Sequence, residues 1–211
     1  RICTRIAHSQ SAVELNEREE RPLIPYVKQL QKYVMCPANA VPRHPIVEKR
    51  LEKLKEFAET TPLNRIEKGG KDMGIVCAGT CYNYVKEVFG DKVSVLKLGL
   101  LNPLPTKLFK DFAASVKKLY VIEELDGIIE NHLKTLGIAC TGKELFSPIG
   151  EYNQTTIKKA FGIALPPTVK ADSPIPVRPP IMCAGCPHRG MFYVLAKNNY
   201  TVIGDIGCYT L

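Results

Sequence analysis

The sequence lacks any apolar run near the ~18 residues that cross a bilayer, and its first residues do not form a secretory leader. The first absence argues against a membrane-spanning helix. The second, in a chain of 211 residues, argues against the disulfide framework of a small secreted domain. There is also no block of like charge. The net charge is +8, but the lysines are scattered, and the densest run, EKRLEKLKEF (48–57), interleaves Glu with Lys as a solvated helix face does. Nucleic acid is therefore not expected as a partner. No internal repeat is present: CAGTC (77–81) and CAGCP (183–187) are alike, but five residues do not make a repeating unit. The chain opens on Arg1 and stops at Leu211, just after an apolar run, and reads as a segment of a larger protein.

Cysteine, by contrast, is plentiful. The eight cysteines fall at 3, 36, 77, 81, 140, 183, 186 and 208. Without a secretory context the expectation is a reducing cytoplasm, where C-x-x-C spacing points to a metal or redox site.

The hydrophobic pattern divides the chain. RICTRIAHSQSAVEL (1–15) opens with a strand-like piece, and REERPLIPYVKQLQKYV (18–34) reads as helical after its proline. A second helix follows, with Pro45 in its first turn and Val47, Leu51 and Leu54 on one face. From Gly70 the pattern becomes strand–helix alternation. MGIVCAG (73–79), KVSVLKLG (92–99) and KKLYVIEEL (117–125) are strands, followed in turn by the helices TCYNYVKEVFG, PTKLFKDFAASV and DGIIENHLKTLG. This alternation predicts right-handed βαβ units and a parallel sheet. The first turn, CAGTCYNY, lacks the second and third glycines of G-x-G-x-x-G, so its backbone is not expected to approach a pyrophosphate. Cys77 and Cys81 read as small buried hydrophobes at that junction. Glu123 and Glu124 end a strand, where α/β domains place functional groups, although they equally suit the positive end of the next helix. Residues 165–180 hold six prolines and form an extended linker. A second α/β region then begins with MCAGCPHRGMF (182–192), the helical YVLAKNN and the strand TVIGDIG.

Chemistry concentrates in this last region. Cys183, Cys186, His188 and Cys208 could make a tetrahedral zinc site. The three cysteines with a fourth from elsewhere could hold an iron–sulfur cluster. Alternatively, Cys183 and Cys186 simply end a turn and Cys208 is buried. Spacing alone leaves these three open. GDIG (204–207) is similar to the G-D-G that opens a thiamine diphosphate motif, whose carboxylate holds Mg²⁺, but Ile206 stands where glycine is expected.

Taken together, CAGCPHRG and GDIGCYTL resemble the start of the thiamine-diphosphate-binding domain in the α subunit of indolepyruvate ferredoxin oxidoreductase, within the 2-oxoacid:ferredoxin oxidoreductase superfamily. TRIAHSQSAVEL resembles the end of that family's pyrimidine-binding domain, and VMCPANAVPRHP its connector. GIVCAGTCYNYVKEVFG and VIEELDGIIENHL resemble its middle domain. The fold class this implies is α/β: a parallel-sheet, transketolase C-terminal-like domain plus the start of a thiamine-diphosphate-binding α/β domain. The boundaries it implies are 1–20 for the end of the pyrimidine-binding domain, 21–69 for a helical connector and 70–164 for the βαβ domain. The proline-rich linker covers 165–180, and the thiamine domain starts within 181–211.

The resemblance also implies an activity: CoA-acylating oxidative decarboxylation of aryl pyruvates such as indolepyruvate, with electrons passed through [4Fe-4S] clusters to ferredoxin. The cofactors are thiamine diphosphate with Mg²⁺ and iron–sulfur clusters, most or all of them outside this segment. The cofactor supplies the carbanion chemistry and the protein positions it. The partners are a β subunit, ferredoxin, coenzyme A and the aryl pyruvate. Cys186, Pro187, His188, Gly204, Asp205, Ile206, Gly207 and Cys208 would surround the thiamine, with His188 catalytic. Cys183, Cys186 and Cys208 would be metal ligands. On this reading the segment is inactive alone. The competing expectations are a structural zinc-binding module and a subunit-assembly module.

Overall fold

The computed structural model describes residues 10–168, 173–174, 182–204 and 207. The chain divides into two compact units, Arg1–Leu165 and Pro166–Leu211.

The first unit is built on four strands: β1 (Arg65–Glu67), β2 (Met73–Ala78), β3 (Ser94–Leu98) and β4 (Lys118–Ile122). Their order across the sheet is β1-β3-β2-β4. β2 runs parallel to both β3 and β4, with Val76 opposite Leu96 on one side and Val121 on the other. β1 is an antiparallel edge strand on β3. The architecture is therefore α/β with a mostly parallel sheet.

β2 is buried on both faces, as a central parallel strand must be, and so it reads as a nearly unbroken apolar run. Alternate residues serve two cores. Ile75 and Cys77 pack with Cys81, Val85 and Phe89 of α3 (Thr80–Phe89). Val76 faces the opposite way, toward Phe109 and Phe112 of α4 (Thr106–Ala114) and Ile129 and Leu133 of α5 (Ile128–Thr135). These helices obey the 3.6-residue period. A short helix, α6 (Gln154–Ala160), closes the first core through Ile157 and is capped by Asn153, whose side chain accepts from Thr156 N at 2.9 Å. Gly74 leaves room for α4 and the residues after it: a Cβ there would sit 3.2 Å from Phe112 and 2.8 Å from Val116.

Upstream of the sheet lie α1 (Leu30–Tyr33) and α2 (Pro37–Thr60). The helix expected over 18–34 shrinks to the four residues of α1. Pro22 and Pro25 interrupt it, and every residue from 10 to 37 is exposed, so no packed face supports a helix that propensity alone cannot hold. No strand forms over the described residues 10–15. α2 begins eight residues before Pro45. Cys36 is the extended N-cap, Pro37 takes the first turn, and Pro42 and Pro45 lie inside the helix. Its expected face is correct: Val47, Leu51 and Leu54 are half-buried and lead to the fully buried Ala58.

The end of α2 is clamped to the sheet by side chains. Asn64 donates to Ala58 O at 2.9 Å and accepts from Gly99 N and Leu100 N, each at 2.9 Å. Glu59 accepts from Lys107 N and Leu108 N at 2.9 and 2.8 Å, capping α4.

In the second unit the described regular element is α7 (His188–Lys197), which starts five residues earlier than the expected YVLAKNN helix. Residues 201–204 form no strand, and Asp205 and Ile206 of the expected strand TVIGDIG lie outside the described residues. No helix among the described residues is long and apolar enough to cross a membrane.

Candidate functional site

CAGC is a tight turn. Cys186 N donates to Cys183 O at 3.1 Å. Gly185 has φ +73°, the left-handed conformation that the third residue of such a turn demands. The C-x-x-C spacing thus places the two cysteines at the two ends of one turn, Cys183 exposed and Cys186 half-buried. Pro187 leads into α7, and His188 is that helix's first residue, with its ring centroid 6.2 Å from that of Phe192. Arg189 reaches back over the turn. Its Nε donates to Cys183 O at 3.1 Å, and its guanidinium also bonds Met182 O. Arg189 N donates to Cys186 O at 3.2 Å. This arginine staples the turn to the helix, a role that motif spacing did not reveal. The signal was available: a five-donor side chain placed three residues after the turn.

The structure therefore brings Cys183, Cys186, Pro187 and His188 into one turn-and-helix unit. Gly204 is exposed and Gly207 half-buried. Asp205, Ile206 and Cys208 lie outside the described residues. Among the described residues no group of three or more His, Cys, Asp or Glu side chains could hold a metal ion. Cys183 and Cys186 supply two thiols, half of a tetrahedral set, and Cys208, the third of the expected set, is not described.

A second concave feature lies within the sheet unit, at the carboxyl ends of β2 and β4. It is a cleft of about 790 Å³. Gly79, which turns the chain from β2 into α3 with φ +56°, forms part of its wall. Glu123 and Glu124 also line it. Glu123 is buried, and its carboxylate accepts from Ile129 N at 3.0 Å and Glu130 N at 2.9 Å, capping α5. Burial raises its pKa, and these two backbone donors only partly offset that. Glu124 accepts from Tyr152 N at 2.8 Å. Lys143 ties the region together by donating to Glu123 O and, at 3.1 Å, to Tyr152 Oη. Glu130 is buried yet held below the usual carboxylate range: burial raises its pKa, but Lys134 at 2.7 Å and the Lys143 N–H outweigh it. Glu123 thus caps the next helix, one of its two expected roles, and its side chain also lines the cleft. Cys77 and Cys81 are buried, as small apolar residues. Burial pushes the Cys81 thiol up to about 12 and raises that of Cys77 further.

No family model matches the chain. Among curated proteins, the indolepyruvate oxidoreductase subunit IorA of Archaeoglobus fulgidus is 32% identical over 236 aligned residues, covering 100% of this chain and 38% of that subunit. The IorA subunit of Methanothermobacter thermautotrophicus is 34% identical and that of Pyrococcus horikoshii 32%, with the same coverage. A solved 2-oxoglutarate:ferredoxin oxidoreductase from Magnetococcus marinus is similar to 61% of this chain and 23% of its own, with a TM-score of 0.46 and 23% identity. The chain spans 38% of the length of the curated relatives it matches. The resemblance carried by the CAGCPHRG and GDIGCYTL motifs thus extends along the whole chain, which is similar over its full length to a part of the indolepyruvate oxidoreductase IorA subunits.

Proposed function

We propose that the chain is part of a thiamine-diphosphate-dependent oxidoreductase that oxidatively decarboxylates aryl pyruvates, indolepyruvate among them, to the acyl-CoA and reduces ferredoxin. The observation that carries this reading is similarity over 100% of the chain to subunits named for indolepyruvate oxidation. In this reading the segment 182–208 forms part of the thiamine pocket, with Gly204, Asp205, Ile206, Gly207 and Cys208 beside the cofactor. Bound there, thiamine diphosphate supplies the carbanion chemistry. The turn at Cys183–Cys186, stapled by Arg189, orients His188 at the head of α7. An imidazole there is a group that can pass a proton to a substrate oxygen. The working enzyme is cytoplasmic and includes a β subunit, and its [4Fe-4S] clusters lie mostly outside this chain.

The test is His188→Ala in the assembled enzyme, assayed by indolepyruvate-dependent and CoA-dependent viologen reduction. The expected result is a fall in kcat/KM of about 10²-fold or more, the size of one lost acid–base group, with iron content unchanged. Unchanged kinetics would remove His188 from the site. Loss of iron with thiamine binding intact would assign the turn to a metal. Zinc in place of iron, with no turnover in the assembled wild-type enzyme, would establish the zinc-module reading. The 211-residue chain alone is expected to show no turnover, because the reading places much of the cofactor's contact surface elsewhere in the enzyme.

A further inference from the structure

The cleft at the carboxyl ends of β2 and β4 sits where this topology opens a crevice. β2 lies between β3 and β4. The chain leaves β2 into α3, whose Cys81 and Val85 join the core on one face of the sheet. It leaves β4 into α5, whose Ile129 and Leu133 join the core on the other. The two departing loops diverge, and open parallel sheets bind ligands at such switch points. The volume, about 790 Å³, falls within the range of small-molecule sites.

The lining decides what such a site would accept. Leu101, Leu104, Ile128 and Ile129 give it apolar walls. The amides at the head of α4, which could otherwise receive an anion, are taken by the Glu59 carboxylate, and those at the head of α5 by Glu123. Glu124 adds a third carboxylate against the single ammonium of Lys55. A phosphate or carboxylate ligand would meet the carboxylates of Glu59, Glu123 and Glu124, which leave only the head of α3 at Gly79–Thr80 without a side-chain cap. The buried Nε2 of His132, which has no hydrogen-bond partner among the described residues, remains for a polar substituent. Thr80 and Asn102, on the loops that follow β2 and β3, bring a hydroxyl and an amide to the same cleft.

We propose that this cleft binds a small, largely apolar molecule that carries no negative charge, with its apolar body between the Leu101–Leu104 loop and Ile128 and its polar substituent toward Thr80 and Asn102. The site is independent of the thiamine-pocket reading, since its residues lie within 55–132.

The experiment uses the assembled enzyme, with benzyl alcohol and 2-phenylethylamine as probes and phenylacetate and pyrophosphate as counter-probes, measured by calorimetry and ligand-observed NMR. Leu101 and Ile128 are 40% and 49% exposed, so Leu101→Arg and Ile128→Arg alter the cleft wall rather than a sealed core. Saturable binding of the first two probes is expected, weakened about tenfold or more in each arginine variant, a loss of about 1.4 kcal/mol. Should those variants fail to assemble, Ile128→Ala, which only trims the side chain, is expected to shift binding in the same direction. Equal affinity in wild type and variants would overturn the proposal, as would no saturable binding of either probe. Phenylacetate or pyrophosphate displacing benzyl alcohol would overturn the charge assignment and the proposal with it.

Discussion

Leu23 and Phe109 are large apolar side chains in the same compact unit, yet Leu23 is 96% exposed and Phe109 0%. Their neighbours follow suit. Ile24 and Tyr26 stand in solvent, whereas Phe112, Leu96 and Ile122 are sealed between sheet and helices. The same hydrophobicity has two different uses. Within 65–163 each apolar stripe meets another stripe of this chain. Within 10–35 the apolar residues meet no packed face among the described residues. Contiguous exposure of this kind marks surfaces made for association.

The largest expected effect separates these two regions by stability. Phe109→Ala empties a fully enclosed site and should cost about 3–5 kcal/mol. Leu23→Ala should change unfolding by no more than about 0.5 kcal/mol. Denaturant melts of the two variants measure the contrast, and a similar cost for Leu23→Ala would show that segment 10–35 is packed in solution.

Thiol chemistry sharpens the same contrast. Cys36 and Cys183 are exposed, whereas Cys81 is buried with its pKa raised from 9.0 to about 12. Each unit of that shift lowers the thiolate population tenfold, so Cys81 should alkylate about 10³-fold more slowly than an unshifted thiol at neutral pH, before any steric protection. Mass spectrometry of iodoacetamide-treated protein reads this directly. Early modification of Cys77 or Cys81 would mean that the βα junction opens.

The smallest expected effect is a pH dependence set by two carboxylates that pull in opposite directions. Burial raises the Glu67 pKa, but hydrogen bonds from Tyr82, Lys86 and Arg65 outweigh it and bring it from 4.5 to about 2. Its folded value lies below its unfolded one, so its contribution is full above about pH 4.5 and is lost as pH falls toward 2. Glu123 has the opposite sign. Its folded value is raised, so the folded state holds its proton more tightly, and the associated stability is lost as pH rises through that value. Glu67→Gln should flatten the acid limb of a melting-temperature profile between about pH 4.5 and 2. Glu123→Gln should leave that limb and remove the fall above it. An unchanged acid limb in Glu67→Gln would show that its three donors do not hold the carboxylate in solution.

The sequence was legible where a stripe finds a partner nearby. β2, β3 and β4 and the helices after them lie within the segments their periodicity marked, because burial enforces the period. β1 escaped notice: three residues at an edge, RIE, carry no pattern. The 18–34 helix failed because its periodicity meets no packed face among the described residues. At the turn, C-x-x-C spacing located Cys183 and Cys186 but not the Arg189 staple, because a side chain folding back onto carbonyls leaves no periodic trace. The cleft beside Glu123 was only half legible. A glutamate pair at a strand's end pointed to the right corner of the sheet, but nothing in the spacing of residues announces a pocket that arises from strand order.

The way α2 is held has a mechanical consequence. Glu59 and Asn64 clamp its last turn to the loop after β3 and to the first turn of α4, which together contribute Leu101, Leu104 and Thr106 to the cleft. Ile46, 51% exposed on the same helix, lies about 20 Å from that clamp at 1.5 Å per residue. Helix and cleft wall are therefore one mechanical piece at this end: neither can shift without straining the Glu59 and Asn64 bonds, whereas the exposed far end at Ile46 and Val41 carries no such tie among the described residues.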